Sequence, residues 1–307
     1  MATPSALRPR AIRPGDAGIA PTNATSGAAA RAARHRATIE RVFTHLLLIV
    51  AAVACAAPFF YVIAASLKDA GSLFQYPPVW VQIPPFLGNY ERLLFDSGFP
   101  RWMLNTLIVA TSVTVLKIFL DSMAGYALAK LEFTGKRVVF LLMLILLMVP
   151  FAALLIPLWT IAHSLNITNT YLALILPSLA NPLGVFLMRQ FILGLPKDLE
   201  NAARLEGVSE FGIYWRIILP LVKPGLVVLA VIIFTAEFMS FIWPLVAVTS
   251  DDLLVLTVGV AGLRAKGGVN FGLWSAAAVM SLLPIAIFFF ALQRQFLARS
   301  LAGSLKQ

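Results

Sequence analysis

The sequence predicts an all-α integral membrane protein of six transmembrane helices with both termini in the cytoplasm. Three observations predict it. Hydrophobic residues make up 60% of the chain and charged ones 12%, where an ordinary soluble domain carries roughly half and a quarter. Six apolar runs reach the roughly 20 helical residues that cross about 30 Å of hydrocarbon, and mean hydropathy is +0.86. Lys and Arg, 24 in all, fall eighteen on one side of this topology and five on the other, with Lys117 inside a span. That asymmetry sets the orientation.

Residues 1–41 are rich in Ala, Arg, Pro, Thr and Gly with hardly any large apolar side chain, which predicts a disordered basic cytoplasmic tail. The chain turns apolar too late for a secretory signal, so the first span, 42–65, is expected to be a retained anchor. With the outer loop it forms a unit of residues 42–101. The Pro77-Pro78 and Pro84-Pro85 pairs of that loop suit either a docking surface or a rigid connection.

The second span is read at 103–129, the third at 138–161 with Pro150, Pro157 and Thr160 inside it, and the fourth at 171–193. The fifth follows at 226–248 and the sixth at 271–292. Pro177, Pro182, Pro244 and Pro284 lie within spans, which is tolerated where neighbouring helices or water satisfy the freed carbonyls. Residues 102–293 thus form a five-span core, and 294–307 a cytoplasmic tail.

Composition also excludes. The net charge of +10 flanks apolar runs and explains orientation, not nucleic-acid binding. Cys55 is the single cysteine and sits in an apolar run, the pattern of a small buried hydrophobe. His35, His45 and His163 are isolated, so neither a disulfide nor a metal site is expected.

One inner stretch breaks the pattern: LENAARLEGVSEFGIYWRIILP, residues 199–220. Pro196 and Asp198 signal a helix start. Leu199, Ala202, Ala203 and Glu206 share one face, thinned by the two alanines. Gly207 can take the left-handed conformation that ends a helix. Ser209 can cap a second helix, whose Phe211, Tyr214, Trp215 and Ile218 form an apolar face. The expectation is two short helices with a sharp bend across the membrane surface. Physics alone leaves open whether they dock a partner or form an interfacial linker.

The same stretch resembles the EAA loop of ABC-transporter membrane permeases, E-A-A-x-x-x-G followed after nine residues by I-x-L-P. Ala202, Ala203, Gly207, Ile217, Leu219 and Pro220 match at the right spacing, with Asn201 at the usual glutamate, Glu200 beside it, and Glu206 before the glycine. Asn105-Thr106, GYALAKLEFTGKR (125–137), IPLWTIAHSLNITNTYLALILP (156–177) and QRQFLARSLAGSLKQ at the end resemble the carbohydrate-uptake permeases related to the maltose-system smaller permease.

The resemblance implies a type I ABC importer permease fold whose loop 197–219 is a cytoplasmic coupling helix, with Glu200, Asn201, Ala202, Ala203, Glu206 and Gly207 at the ATPase contact. It implies a second homologous permease subunit, two ABC ATPase subunits and an extracytoplasmic solute-binding protein as partners, a sugar as substrate, and the plasma membrane of a bacterium or archaeon. No phosphate-cradling G-x-x-x-x-G-K-[ST] occurs. The chain is therefore expected to be non-catalytic and without a cofactor, ATP and Mg being bound by the partner subunits.

Charges inside spans usually face a bundle interior or a wet cavity. Lys117 and Asp121, four residues apart on one helical face, fit either a mutually neutralised structural pair or a polar patch on the path. Glu237 has no local cation and is the stronger path candidate. Ser240, Trp243, Asn181 and Trp274 offer the hydrogen bonds and aromatic faces that a neutral sugar needs. Two rival classes are an ion-gradient transporter using Glu237, Lys117 and Asp121 as coupling groups, and a non-transporting scaffold.

Overall fold

Apolar periodicity resolves into helices wherever it was expected, but three of the six spans are broken. The computed structural model describes residues 24–267 and 270–304, with side chains over 38–263 and 270–293. In chain order the helices are α1 (Ala24–Ser66), α2 (Gly88–Phe95), α3 (Phe99–Lys130), α4 (Lys136–Met148), α5 (Phe151–Ser164), α6 (Tyr171–Leu179) and α7 (Leu183–Leu193). They continue with α8 (Asp198–Leu205), α9 (Glu210–Ile213), α10 (Leu219–Leu221), α11 (Lys223–Phe238), α12 (Ile242–Ala247), α13 (Leu256–Gly267) and α14 (Phe271–Ser304). The chain divides into two units, Met1–Phe59 and Phe60–Gln307.

The expected tail is corrected first. Residues 24–41 are helical, the opening turns of α1, because ATSGAAARAARHRATIER is dominated by alanine and arginine, both strong helix formers. Residues 1–23 lie outside the described residues. The C-terminal tail is likewise helical through Ser304 as the end of α14. Cys55 is exposed, contrary to the buried reading. Its neighbours from 38 to 61 are exposed too, the surface that an apolar helix presents to lipid or to another membrane subunit.

Among the described residues, only Thr38–Ser66, Phe99–Lys130 and Phe271–Gln293 are continuous helices long and apolar enough to span; bent helix pairs bring the number to at most six. The third expected span bends by 105° between α4 and α5 and the fourth by 43° between α6 and α7. Pro150 and Pro182 sit at these two breaks, where proline can begin a helix but cannot continue one. The fifth expected span stops at Phe238 and resumes as α12. Pro244 cannot donate to the Ser240 carbonyl four residues earlier, and the Thr257 hydroxyl donates to that oxygen instead at 2.5 Å.

The core of the second unit is organised around α3. In lipid the solvent gives helices little reason to associate, so close van der Waals packing at small residues must do it. On α3, Gly125 lies against Met188 of α7, and Gly184 of α7 lies against Asp121 of α3; a methyl group at either would overlap its neighbour. Val113, Tyr126, Met188, Ile192, Tyr214 and Leu229 share one apolar cluster, and Leu93, Phe99, Ala110, Phe234, Phe238 and Ala276 a second.

The Asn105-Thr106 pair is a clip. The Asn105 amide donates to the carbonyls of Asp252 and Leu254, both at 2.9 Å, and accepts from the Tyr171 hydroxyl at 2.6 Å. The Thr106 hydroxyl accepts from the Leu256 amide at 2.7 Å. The loop between α1 and α3 is held by side chains as well. Asp69 exchanges hydrogen bonds with Ser72 and Gln82, and the Ser72 amide holds the Asp69 carboxyl below the usual range. Asn89 donates to the carbonyls of Ser66 and Lys68, and the Lys68 ammonium to that of Val79.

Candidate functional site

The loop of residues 197–219 forms the bent pair of short helices that its residues predict. Gly207 has φ +79°, a conformation that costs glycine nothing and other residues about 1–2 kcal/mol. The Ser209 hydroxyl caps α9 by accepting from the Gly212 amide at 3.2 Å. Asp198 is the first residue of α8 rather than its cap. After α9 the chain makes a π-helical turn over Tyr214–Ile218, and that turn divides the expected apolar face. Tyr214 and Ile218 are buried, whereas Phe211 and Trp215 stack on each other in the open.

The six predicted coupling residues also separate. Asn201, Ala202, Glu206 and Gly207 are exposed, joined by Leu199 and a Leu205 that is 90% exposed. Ala203 and Glu200 are buried against the helices behind. The single face drawn through Leu199, Ala202, Ala203 and Glu206 is thus not the outward one, since Ala203 belongs to the seat.

What seats the loop is a chain of ion pairs that sequence reasoning missed. The Glu200 carboxylate lies 2.7 Å from the Lys130 ammonium, with both side chains 2% exposed. Lys130 also donates to the Leu195 carbonyl at 2.8 Å. On its other side Glu200 faces Arg204 at 3.7 Å. Arg204 in turn donates to both carboxylate oxygens of Glu210, at 2.6 and 3.2 Å. Glu210 closes the chain by accepting from the Tyr126 hydroxyl at 2.7 Å. Tyr126 and Lys130 stand four apart in the last turns of α3. The signal was present in GYALAK, a tyrosine and a lysine at helical spacing beside a charged loop, but nothing local says which carboxylates they meet.

Three of the four path candidates come together. Glu237, Ser240 and Trp243 line one small cavity with Thr106, Leu174 and Val255. Ser178 donates to Glu237 at 3.0 Å, and the buried Trp243 indole donates to the Ala173 carbonyl at 2.8 Å. Asn181 does not join them. Its side chain accepts from the Leu183 amide at 2.9 Å, and its carbonyl receives the Lys117 ammonium at 2.7 Å. Lys117 therefore serves the break between α6 and α7 while pairing with Asp121 at 3.1 Å, both buried. Trp274 lines a separate apolar cavity. Among the described residues no His, Cys, Asp and Glu group could hold a metal.

Residues 121–300 match the family of binding-protein-dependent transport system inner membrane components. The arabinooligosaccharides transport system permease protein AraQ of Halalkalibacterium halodurans is 37% identical over 81% of this chain and 90% of its own length. The trehalose/maltose transport system permease protein MalG of Thermococcus litoralis is 32% identical over 87% and 99%. A crystal structure of a bacterial ABC transporter that imports the acidic polysaccharide alginate contains a chain with the same fold. The TM-score is 0.76 at 21% identity, covering 84% of this chain and 96% of that one.

Proposed function

This chain belongs to the family of binding-protein-dependent transport system inner membrane components, and we propose that it is the permease subunit of an ATP-driven carbohydrate importer. It would sit in a bacterial or archaeal plasma membrane with both termini inside. Its partners would be a second permease, two ATPase subunits that bind ATP and Mg, and an extracytoplasmic binding protein that delivers a sugar. The substrates in the names of the relatives, arabinooligosaccharides and trehalose or maltose, support a carbohydrate.

The observation that carries this reading is the two-sided loop. Outward it offers Leu199, Ala202, Leu205 and Glu206, a protruding, partly apolar surface of the kind that fills a partner's groove. Inward it is tied by Lys130–Glu200 and Tyr126–Glu210 to the end of α3, the helix that packs against Gly184 and Met188 of α7 and lines the Glu237 cavity with Thr106. A push on α8 is thereby a push on α3. Nucleotide-driven closure of the motor would move this element and rock the bundle between inward- and outward-facing forms.

Crosslinking tests it, and the burial of Ala203 fixes where to aim. Cysteines at Leu205 or Ala202, in a Cys55→Ser background, should join to the ATPase subunit that co-purifies with the chain; a cysteine at Ala203 should react far less. Uptake should survive a protonophore and vanish without the ATPase. Uphill accumulation in cells lacking that subunit would instead support a gradient-driven carrier.

Glu237 carries a further expectation. Glu237→Gln keeps the shape and the Ser178 hydrogen bond while removing the charge, so uptake should fall several-fold with assembly intact. Unchanged uptake kinetics would take Glu237 off the solute path.

A further inference from the structure

A second site, which shares no lining residue with the Glu237 cavity, is bordered by residues of α3, α4 and α7. A cavity of about 620 Å³ is lined by Glu132, Lys136, Arg137, Val138, Phe140 and Arg189 among others. We propose that it binds the phosphate headgroup of an anionic phospholipid of the leaflet it faces. The cytoplasmic leaflet is the one assigned by the asymmetry of Lys and Arg along the chain, so the proposal does not rest on the permease reading.

Charge and shape point there together. Lys136, Arg137 and Arg189 bring three cations to one opening, against the single carboxylate of Glu132. Glu132 is largely exposed and lies 3.3 Å from Lys136, and Arg137 is exposed and joins none of the ion pairs among the described residues. Arg189 is held in place without being neutralised. Its Nε donates to the Leu128 carbonyl at 3.2 Å, and its guanidinium lies 4.1 Å over the Phe140 ring, which in turn stacks on Phe186. A planar guanidinium so braced is suited to a phosphate, which it can meet with two parallel hydrogen bonds.

The opposite end of the ligand is specified by α4. Val138, which lines the cavity, is followed on the same helical face by Leu141, Leu142 and Ile145, all exposed. A cationic mouth continuous with an exposed apolar strip matches a phosphate on acyl chains, whereas a soluble anion would leave that strip unused.

Native mass spectrometry of the full chain, released from bilayers mixing phosphatidylglycerol with phosphatidylcholine, tests this. Phosphatidylglycerol should be retained preferentially, and Arg137→Gln should weaken that retention about fivefold, at roughly 1 kcal/mol per basic residue near the surface. Among the described residues the Arg137 side chain makes no hydrogen bond or ion pair to lose, so this variant should fold; Arg137→Gln with Arg189→Gln should abolish the preference. Equal retention of the two lipids, undiminished retention in the variants, or displacement by inorganic phosphate would each overturn the proposal. The assay reads lipid without transport, so a failure of the importer reading leaves it standing, and the reverse.

Discussion

Lys130→Ala should cut ATPase-driven uptake to near background and lower the chain's melting temperature. The substitution leaves the Glu200 carboxylate buried with its nearest remaining cation, Arg204, 3.7 Å away and more than a third exposed. Removing one partner of a buried pair costs about 3–5 kcal/mol, because the other charge is left without compensation. The cost falls where the loop meets α3, so α8 should lift from its seat.

The control is the double replacement Lys130→Met with Glu200→Leu. Well-packed apolar residues of similar volume often substitute for a buried ion pair without loss, so melting should recover. If seating alone is what the pair contributes, stimulated ATPase activity should recover with it. Unaltered melting and uptake in Lys130→Ala would mean that the pair does not hold the loop.

Gly184→Ala should be nearly as severe, although it adds a single methyl group. That carbon would sit 2.6 Å from Asp121 Cγ, inside van der Waals contact. Asp121 cannot swing aside without leaving Lys117, which holds it at 3.1 Å while donating to Asn181. Overpacking costs about 1–3 kcal/mol, and strain on the ion pair adds to it. Thermal unfolding of the purified chain in detergent should show a clear loss.

Combining Gly184→Ala with Lys117→Met and Asp121→Ala removes the charges and the two shortest overlaps, leaving a 3.1 Å contact with the Cβ at 121, and should restore most of the melt. Uptake in this triple variant then decides between the two readings of the pair. Restored uptake makes it structural, and a folded, assembled but inactive chain puts it on the solute path. A triple variant that melts as low as Gly184→Ala alone would show that the close approach is not what the glycine provides.

Much of this molecule was legible from one dimension. Helices arise from apolar runs, and the bent loop from Gly207 and Ser209, because a left-handed turn and an N-cap are local requirements written in local residues. The prolines marked places where helices could fail. Whether Pro150 and Pro182 would break their spans while Pro157 and Pro177 would remain inside helices depended on what lay alongside.

Which way each side chain faces was decided in three dimensions. Ala202 and Ala203 are the same residue side by side, yet one is exposed and the other buried. Glu200, Arg204 and Glu210 look like the solvated charges of a surface helix, and instead they key the loop to Tyr126 and Lys130, some 70 to 84 positions earlier in the chain. In an apolar setting periodicity loses its power to tell inside from outside, because a lipid-facing leucine and a packed one are written alike. The sequence by itself determined that the chain is a helical membrane protein carrying one sharply bent polar element. Lys117 and Asp121 could be paired from their spacing, but the partners of Lys130 and Glu200 were decided only by the close approach of the loop to α3, since a charge far from water takes whichever opposite group the packing brings within reach.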